Sequence, residues 1–264
     1  MDVLEVAVKS PVTRRVAKHG DAVSEAEYWA YYYNDDDIRY EWHNGRLEQK
    51  PMSDLAKSLI YRWFLRLLEE YLRQNPIATI TVLDLGFRLQ LPYQKSIRRP
   101  DLGVIRHDNP IQMAAEERTY RGIFDLCIES LSDSSREDVE RDTVDKKVEY
   151  AGAGVQEYYI LDNKGRSGFF QRNARGVYDS IVPIDGVIYS QVLPGFCSRL
   201  TDLQRQPSLQ QMAEDPLYQA FVLPEYQAQK IQVAEAQTKA LTKQAKAERL
   251  AAKLRELGIS PDDI

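Results

Sequence analysis

The part of the chain around residues 99–159 constrains the fold most, because strand, helix and strand signals follow one another there. It starts with "RPDLGVI", and "FDLCIESLS" follows after a loop. The second segment is continuously apolar at residues 126–128, which is typical of a central strand covered on both faces. "REDVERDTVDKKVEYAGAG" has helical spacing, and "VQEYYILD" returns to a strand pattern. This order predicts a sheet with a helix packed against it.

The flanking segments extend this α/β (mixed α+β) character. Ser24 is placed to cap a helix over "SEAEYWAYY", and Asn44 and Gly45 predict the turn of a hairpin. "SDLAKSLIYRWFLRLLEEYLRQN" has the broad apolar stripe of a long buried-face helix. "IATITVLDL" and "GFRLQLP" are expected to pair with each other around residues 84–86, and further strands follow up to residue 194.

Composition limits the class of protein. The formal net charge of −5 argues against a general nucleic-acid coat protein, whose affinity would come from neutralising phosphates. An enzyme with a locally basic track stays possible. Only two cysteines are present, "MDVLEVAVKSPVTRR" lacks the pattern of a signal peptide, and no apolar run approaches the ~20 residues of a membrane span. We therefore expect a cytoplasmic protein that does not enter membranes.

Pattern changes along the chain suggest four parts. Residues 1–20 are expected to be a flexible N-terminus, residues 21–205 a globular domain, and residues 206–224 a linker with a short helix. Residues 225–264 are expected to be a helical tail. Within residues 225–257 an apolar 3-4 spacing changes frame, as in a coiled-coil stutter. Two interpretations stay open for this tail: a solvated helix, or a coil that makes a homo-oligomer.

Two acids stand where a divalent metal ion could bind. Asp101 follows a proline at the start of one predicted strand, and Glu129 interrupts the apolar run of another. A buried carboxylate is costly unless it is paired or bound to a metal, and Mg²⁺ uses one or two carboxylates with waters and a substrate phosphate. The alternative is that Glu129 lies at a strand end and is capped by backbone N–H groups or held in a structural ion pair.

Lys146 is the predicted cation beside these acids. It follows Asp142 by four residues, so the two side chains face each other on a helix. A lysine near a scissile phosphate can stabilise the charge that develops in the transition state. The alternative is a surface pair of little energetic weight, and the adjacent Lys147 is a competing candidate for the role.

These motifs together resemble the Uma-type family of "putative restriction endonucleases", which is part of the PD-(D/E)XK nuclease superfamily. The resemblance covers roughly residues 25–200. The matching pieces are "RYEWHNGRLEQKPMS", "RRPDLGVI", "IESLS", "EYYILD" and the four-residue steps Asp142, Lys146, Tyr150 and Gly154.

The resemblance implies a restriction-endonuclease-like domain over residues 21–205, with a mixed β-sheet flanked by helices and a long C-terminal helix or coiled coil. It also implies an endonuclease that hydrolyses phosphodiester bonds in DNA. Asp101 and Glu129 would be ligands of Mg²⁺, with Mn²⁺ as a possible substitute, and Lys146 would complete the catalytic set. Glu41 matches an acid common in the family and would be a third carboxylate; the alternative is an exposed strand residue.

One position departs from the superfamily pattern. The lysine expected two residues after Glu129 is replaced by Leu131. The resemblance implies that Lys146 takes its place from a helix. The alternative function is a catalytically inactive binding module that keeps the nuclease fold and assembles through its helical tail.

Overall fold

A computed structural model describes residues 17–35, 37–83 and 85–256 of the chain. Most of the segment expected to be a flexible N-terminus, residues 1–16, lies outside the described residues, as do residues 257–264 at the end of the tail. The strands in chain order are β1 (Tyr40–His43), β2 (Arg46–Gln49), β3 (Ala78–Thr81), β4 (Gly86–Gln90), β5 (Lys95–Arg98), β6 (Leu102–Arg106), β7 (Thr119–Tyr120), β8 (Leu126–Ser130), β9 (Glu157–Leu161), β10 (Gly168–Arg172), β11 (Tyr178–Ser180), β12 (Val187–Tyr189) and β13 (Cys197–Arg199).

Seven helices accompany these strands in the described part of the chain. Two of them run directly into a wider π turn, at Tyr28–Tyr32 and at Arg141–Asp145. The helices are α1 (Glu25–Glu27), α2 (Leu55–Gln74), α3 (Arg136–Glu140), α4 (Lys146–Ala153), α5 (Asp202–Arg205), α6 (Leu209–Glu214) and α7 (Pro224–Glu256). Ser24 caps α1 through a capping box with Glu27, as the sequence predicted.

A six-stranded mixed sheet in the order β11-β10-β9-β8-β6-β3 forms the centre of the fold. Strand β8 pairs in parallel with β9 and antiparallel with β6, and every residue of β8 and β9 is buried. This burial explains the continuous apolar run in the sequence, because a central strand has no solvent-facing side. The sheet flanked by helices confirms the predicted fold class.

A second sheet, ordered β2-β1-β5-β4-β7, lies beside the first. The expected pairing of "IATITVLDL" with "GFRLQLP" is wrong, because β3 pairs with β6 in the large sheet and β4 pairs with β5 in the small one. The segment "KSIR", which the sequence patterns do not assign to a strand, forms β5 after a short turn. Strands β3 and β5 lie equally near β4 along the chain, with four residues in each gap, so distance along the chain does not decide which of them pairs with β4.

The large sheet is covered on both faces by apolar side chains. Alternation along β8 sends Leu126 and Ile128 to the face packed by α2, and Cys127 to the opposite face with Leu131 and Tyr150. The first face also receives residues from β12, β13, α5, α6 and the segment after α6. Among these residues are Val187, Phe196, Leu203, Met212, Tyr218 and Phe221.

The helix predicted over residues 136–154 is confirmed, with the π turn in its middle. The side chains that it buries are Arg141, Asp142, Lys146, Glu149, Tyr150 and Ala151. The apolar spacing predicts one face with Val139, Thr143, Lys147 and Tyr150, and of these four residues Tyr150 is the one that is buried. The wider turn, which closes i to i+5, changes the direction of the side chains before it relative to those after it. Gly154 ends the helix with a positive φ of 107°, as a C-terminal glycine does.

Helix α7 extends over 33 residues, and none of its side chains is buried. Its first residues contact α6 and α2; for example, Arg73 Nη1 donates to Glu225 Oε1 over 3.1 Å. Within the described ranges, no helix combines the length and the apolar character that crossing a membrane requires.

Candidate active site

Asp101 and Glu129 lie at the same end of the large sheet. Leu102 is opposite Ile128 in the antiparallel β6–β8 pair, so the preceding Asp101 and the following Glu129 extend the two strands side by side. The backbone N–H of Ser130 donates to Asp101 Oδ2 over 2.8 Å. This hydrogen bond fixes the Asp101 carboxylate against the backbone next to Glu129.

Glu129 is buried among polar partners, with 2% of its surface exposed. Its Oε1 accepts hydrogen bonds from Lys146 Nζ and from Tyr150 Oη, both over 2.9 Å. Burial raises the pKa of Glu129 to about 7, and the nearby Lys146 charge offsets this only in part. The alternative in which backbone N–H groups cap Glu129 does not describe this contact set, since its donors are side chains from α4.

Lys146 is the predicted lysine that reaches the acids, and it is 2% exposed. Its Nζ lies 2.9 Å from Glu129, 3.1 Å from Asp142 and 3.5 Å from Glu41. Burial lowers the pKa of Lys146, but the three carboxylates outweigh that effect and raise it above its ordinary value. The surface-pair interpretation is therefore wrong, and Lys146 stays charged at the centre of an acidic cluster.

The adjacent Lys147 faces away from the cluster. Its Nζ lies 3.8 Å from the centre of the Phe170 ring, which is cation–π distance. Of the two lysines, Lys146 is therefore the one whose side chain faces the acids.

Glu41 is fully buried, so its interpretation as an exposed strand residue is wrong. Its Oε1 accepts from the Arg99 backbone N–H over 2.8 Å, and its Oε2 lies 3.2 Å from Arg98 Nη1. Burial raises the pKa of Glu41, but the charges of Lys146 and Arg98 dominate and hold it below its usual range. Two cations therefore keep Glu41 ionised inside the protein.

Arg98 is itself completely buried and extends this ionic network. Its guanidinium contacts Glu48 and Glu149 as well as Glu41. His43 joins through Nδ1, which lies 2.8 Å from Glu149 Oε1. The basic run "SIRRPD" in the sequence suggests that Arg98 and Arg99 could contact a phosphate backbone near Asp101. For Arg98, complete burial excludes direct contact with substrate.

Asp101 is the more open of the two metal-ligand candidates, with 24% of its side chain exposed. Its Oδ1 lies 3.0 Å from Lys50 Nζ, and Lys50 also donates to the Arg99 carbonyl oxygen over 2.6 Å. Sequence reasoning missed Lys50, which follows β2 directly. No periodic signal distinguishes a single lysine at the end of a hairpin strand, so only the tertiary structure reveals it.

Lys50, Asp101, Glu129 and Lys146 line one cavity of about 530 Å³. The charged side chains on its wall are Asp37, Arg39, Lys50, Asp101, Glu129, Arg141, Asp142 and Lys146. Arg141 and Asp142 are buried on this wall, and Asp142 Oδ1 lies 3.1 Å from Lys146 Nζ and 3.8 Å from Arg141 Nε. A cavity whose wall combines carboxylates and cations suits a charged ligand.

Comparison with protein families gives this geometry a context. The model of the Uma2 family, described as "putative restriction endonuclease", matches residues 25–201, which is more than half of the chain. The chain belongs to the Uma2 family. A solved structure titled "a putative nuclease belonging to DUF820", from Anabaena variabilis ATCC 29413, shares the fold with a TM-score of 0.54. It is 17% identical and covers 69% of this chain and 97% of its own. No curated protein matches.

Leu131 occupies the position where the superfamily pattern has a lysine. In this Uma2 member it is 1% exposed and packs in the core with Cys127 and Tyr150. A lysine side chain at that point would place its charge among apolar groups, which is strongly unfavourable. The ammonium beside Glu129 comes from Lys146 on α4 instead.

The residues of this site suit a hard divalent cation, although the protein supplies two carboxylate ligands and not a complete set. Asp101 and Glu129 present oxygen ligands at adjacent strand ends on one cavity wall, and the Asp101 charge is among the causes that raise the pKa of Glu129. Two carboxylates with waters and a substrate phosphate are a usual Mg²⁺ site. Across residues 17–35, 37–83 and 85–256, no group of three or more His, Cys, Asp or Glu side chains has the arrangement of a metal site. The oxygen ligands beyond these two would come from solvent and substrate.

Proposed function

We propose that the chain is a metal-dependent endonuclease that hydrolyses phosphodiester bonds, with DNA as substrate and Mg²⁺ as the preferred ion. One observation carries the proposal: Asp101, Glu129 and Lys146 line the same cavity, with Lys146 Nζ 2.9 Å from Glu129 Oε1. Membership of a restriction endonuclease family supports a nuclease. The ion, with Mn²⁺ as a substitute, and the DNA substrate belong to the proposal alone.

Asp101 and Glu129 would hold the metal ion. When bound, such an ion lowers the pKa of a water molecule and polarises a phosphate oxygen. Lys146 holds the Glu129 carboxylate in place and, since its pKa is raised, keeps a positive charge near the scissile phosphate. Tyr150 fixes the same carboxylate oxygen from a second direction. The site is thus ordered before any substrate enters, which lowers the cost of reaching the transition state.

Plasmid cleavage with purified protein tests the proposal. We expect nicking or linearisation with Mg²⁺ or Mn²⁺ and none in EDTA. Asp101→Asn and Glu129→Gln should each lower the rate by about 100-fold or more, because each removes a charged ligand while keeping the side-chain shape. Glu140→Gln, at an exposed carboxylate on the neighbouring α3, is the matched control and should cut like wild type. Equal rates for wild type and both site variants would refute the site assignment.

The alternative function, an inactive assembly module, is favoured by one observation. Helix α7 presents 33 residues without a buried side chain, which leaves its surface open to a partner such as a second copy of the chain. Calorimetry and sedimentation distinguish the two functions. Heat of Mg²⁺ or Mn²⁺ binding that disappears in Glu129→Gln supports the nuclease, whereas no metal binding together with oligomers that require residues 225–257 supports the module.

A further inference from the structure

A second cavity, of about 250 Å³, adjoins the first at Asp101. The two cavities share Arg39, Ser53, Asp101 and Ser130 on their walls. Asp101 therefore stands at a junction, with Glu129 and Lys146 on one side and the first turns of α2 on the other. An extended ligand that reaches Asp101 through one cavity would continue into the other.

The wall of the second cavity is rich in hydrogen-bond donors. Ser53, Ser58 and Ser130 contribute hydroxyl groups, Tyr61 adds a phenol, and Arg39 and Lys57 are cations. Of the described residues that line it, Asp101 alone carries a carboxylate, and Lys50 Nζ lies 3.0 Å from that group. Hydroxyl donors combined with cations are the usual surroundings of a phosphate oxygen.

Helix α2 adds a favourable electrostatic field. It is 20 residues long and begins after the N-cap Asp54, so the partial positive charge of its N-terminus lies close to Lys57 and Ser58. Asp54 Oδ1 already accepts from the Lys57 N–H over 2.8 Å, so the helix end contributes its electrostatic field to the cavity rather than that N–H group.

Ser130 supplies an independent sign of a ligand. It is 8% exposed, and its Oγ has no hydrogen-bond partner. Buried hydroxyl groups are nearly always bonded, so an unbonded one on a cavity wall marks a place for a further acceptor or donor. Ser130 lines both cavities, and its backbone N–H donates to Asp101 Oδ2, so the residue lies at the junction of the cavities.

Two cations line the second cavity, Arg39 and Lys57. Lys57 pairs with Asp133 over 2.9 Å, and Asp133 is shared with Lys164 and Arg166. Because three cations share the Asp133 carboxylate, Lys57 keeps positive charge available beside the cavity.

We propose that the second cavity is a phosphate-binding subsite, which holds a backbone phosphate next along the strand from the scissile one. The assignment to a nucleic-acid strand rests on the proposed nuclease function, whereas the binding of a phosphate group rests on the cavity itself. The subsite allows the enzyme to bind its substrate without the metal ion. The strand then passes Asp101 in a defined register.

The test measures binding without turnover. Short DNA trinucleotides, with and without a terminal phosphate at the 5′ or the 3′ end, are titrated in EDTA by calorimetry against wild type and variants. One of the two phosphorylated forms should bind wild type about tenfold more tightly than the unphosphorylated form, as expected for charge-assisted hydrogen bonds. Ser58→Asp should remove that gain by placing a carboxylate in the cavity. A fold defect is not expected, because an acid in the first turns of a helix is favourable.

Ala56→Asp is the matched control. It adds the same charge to the same turn of α2 on another face, and the gain should persist. Glu129→Gln, which should abolish the proposed cleavage, should also keep the gain in affinity from the terminal phosphate.

The outcomes of this test separate the subsite from the nuclease function. A gain of equal size in Ser58→Asp, or no gain in wild type, overturns the subsite even if the protein cuts DNA. Inorganic phosphate that binds as tightly as the phosphorylated trinucleotide shows a site for the free anion and overturns the strand path. If the gain in affinity from the terminal phosphate is lost in Ser58→Asp but the protein cuts no DNA, the subsite is supported and the nuclease function is rejected.

Discussion

The Nζ atom of Lys146 lies 2.9 Å from Oε1 of Glu129, although one residue is on α4 and the other on β8. The same ammonium contacts Asp142 and Glu41, so one buried cation lies against three buried acids. Its removal would leave like charges close together without solvent. Lys146 is therefore a structural element as well as a candidate catalytic one.

Lys146→Met should destabilise the protein strongly. Breaking a buried ionic cluster by removing one partner costs about 3–5 kcal/mol, because the remaining charges stay desolvated. Urea unfolding of purified protein measures this difference. Lys147→Met is the control: its loss of a cation–π contact with Phe170 should cost about 0.5–1 kcal/mol. Similar small losses in the two variants would mean that the cluster is not a cooperative part of the fold.

Lys50→Met should tighten divalent-metal binding. In the metal-free site Lys50 Nζ is paired with Asp101 Oδ1, so it competes with any cation for that carboxylate. A partly exposed pair of this kind is worth up to about 1 kcal/mol, which corresponds to a gain in Mg²⁺ affinity of up to about fivefold. Calorimetry measures the affinity, and Asp101→Asn should change it in the opposite direction. Weaker metal binding in Lys50→Met would show that Lys50 supports the ion instead of competing with it.

The contact between His43 and Glu149 should make stability depend on pH. The hydrogen bond to Glu149 raises the pKa of His43, so the folded state favours the charged imidazole. Its contribution is complete below the ordinary imidazole pKa of about 6.5 and is lost as the pH rises through the raised value. Glu149, whose pKa is lowered to about 2, remains ionised throughout this window.

Unfolding free energies of wild type, His43→Asn, Glu149→Gln and the double variant form a cycle that isolates the contact. The coupling free energy should be positive at about pH 5.5 and decline towards about pH 9, across the window around the ordinary imidazole pKa. Because His43 is half-buried, the coupling should stay within about 1 kcal/mol. A coupling that does not change with pH would contradict a charged His43 in the folded protein.

Deletion of residues 236–264 should leave the stability of the rest unchanged. Helix α7 buries no side chain in its described length, and its contacts to α6 come from early residues, such as the 3.1 Å pair of Lys230 with Glu214. We expect the melting temperature to stay within about 2 °C. Light scattering on the same samples distinguishes the two interpretations of the tail: a coil that makes a homo-oligomer should revert to monomer on deletion, whereas a solvated helix leaves the mass of the particle unchanged apart from the deleted residues. Oligomers that persist would place the interface elsewhere.

Much of the fold was predictable, because it depends on local patterns. The buried strand β8, the long helix α2, the hairpin at Asn44 and Gly45 and the helix before Gly154 all follow from apolar spacing and turn chemistry. Strand pairing was harder: β3 and β4 are neighbours in sequence yet belong to different sheets. Pairing is decided by which partner covers which face, and this information is absent from a single segment.

The site divides in the same way. Glu129 was identifiable, since an acid inside an apolar strand needs a reason to be there. Lys50 and Arg98 were not, because surface-type residues give no sign in the sequence that tertiary packing will bury them beside acids. The exact face of the helix also escaped prediction, because the π turn at Arg141–Asp145 leaves no periodic trace.

Strands β5 and β6 belong to different sheets, and only Arg99, Pro100 and Asp101 join them. Glu41 on β1 and Lys50 directly after β2 belong to the smaller sheet, and Glu129 on β8 belongs to the larger one. The Ser130 N–H holds the Asp101 carboxylate to the larger sheet, so a change in the angle between the sheets would alter the distances of Asp101 from Glu41 and Lys50 and leave its distance from Glu129 unchanged. Substitutions that loosen the three-residue connection should therefore disturb the pairing of Asp101 with Lys50, while the two acids at the ends of β6 and β8 stay side by side.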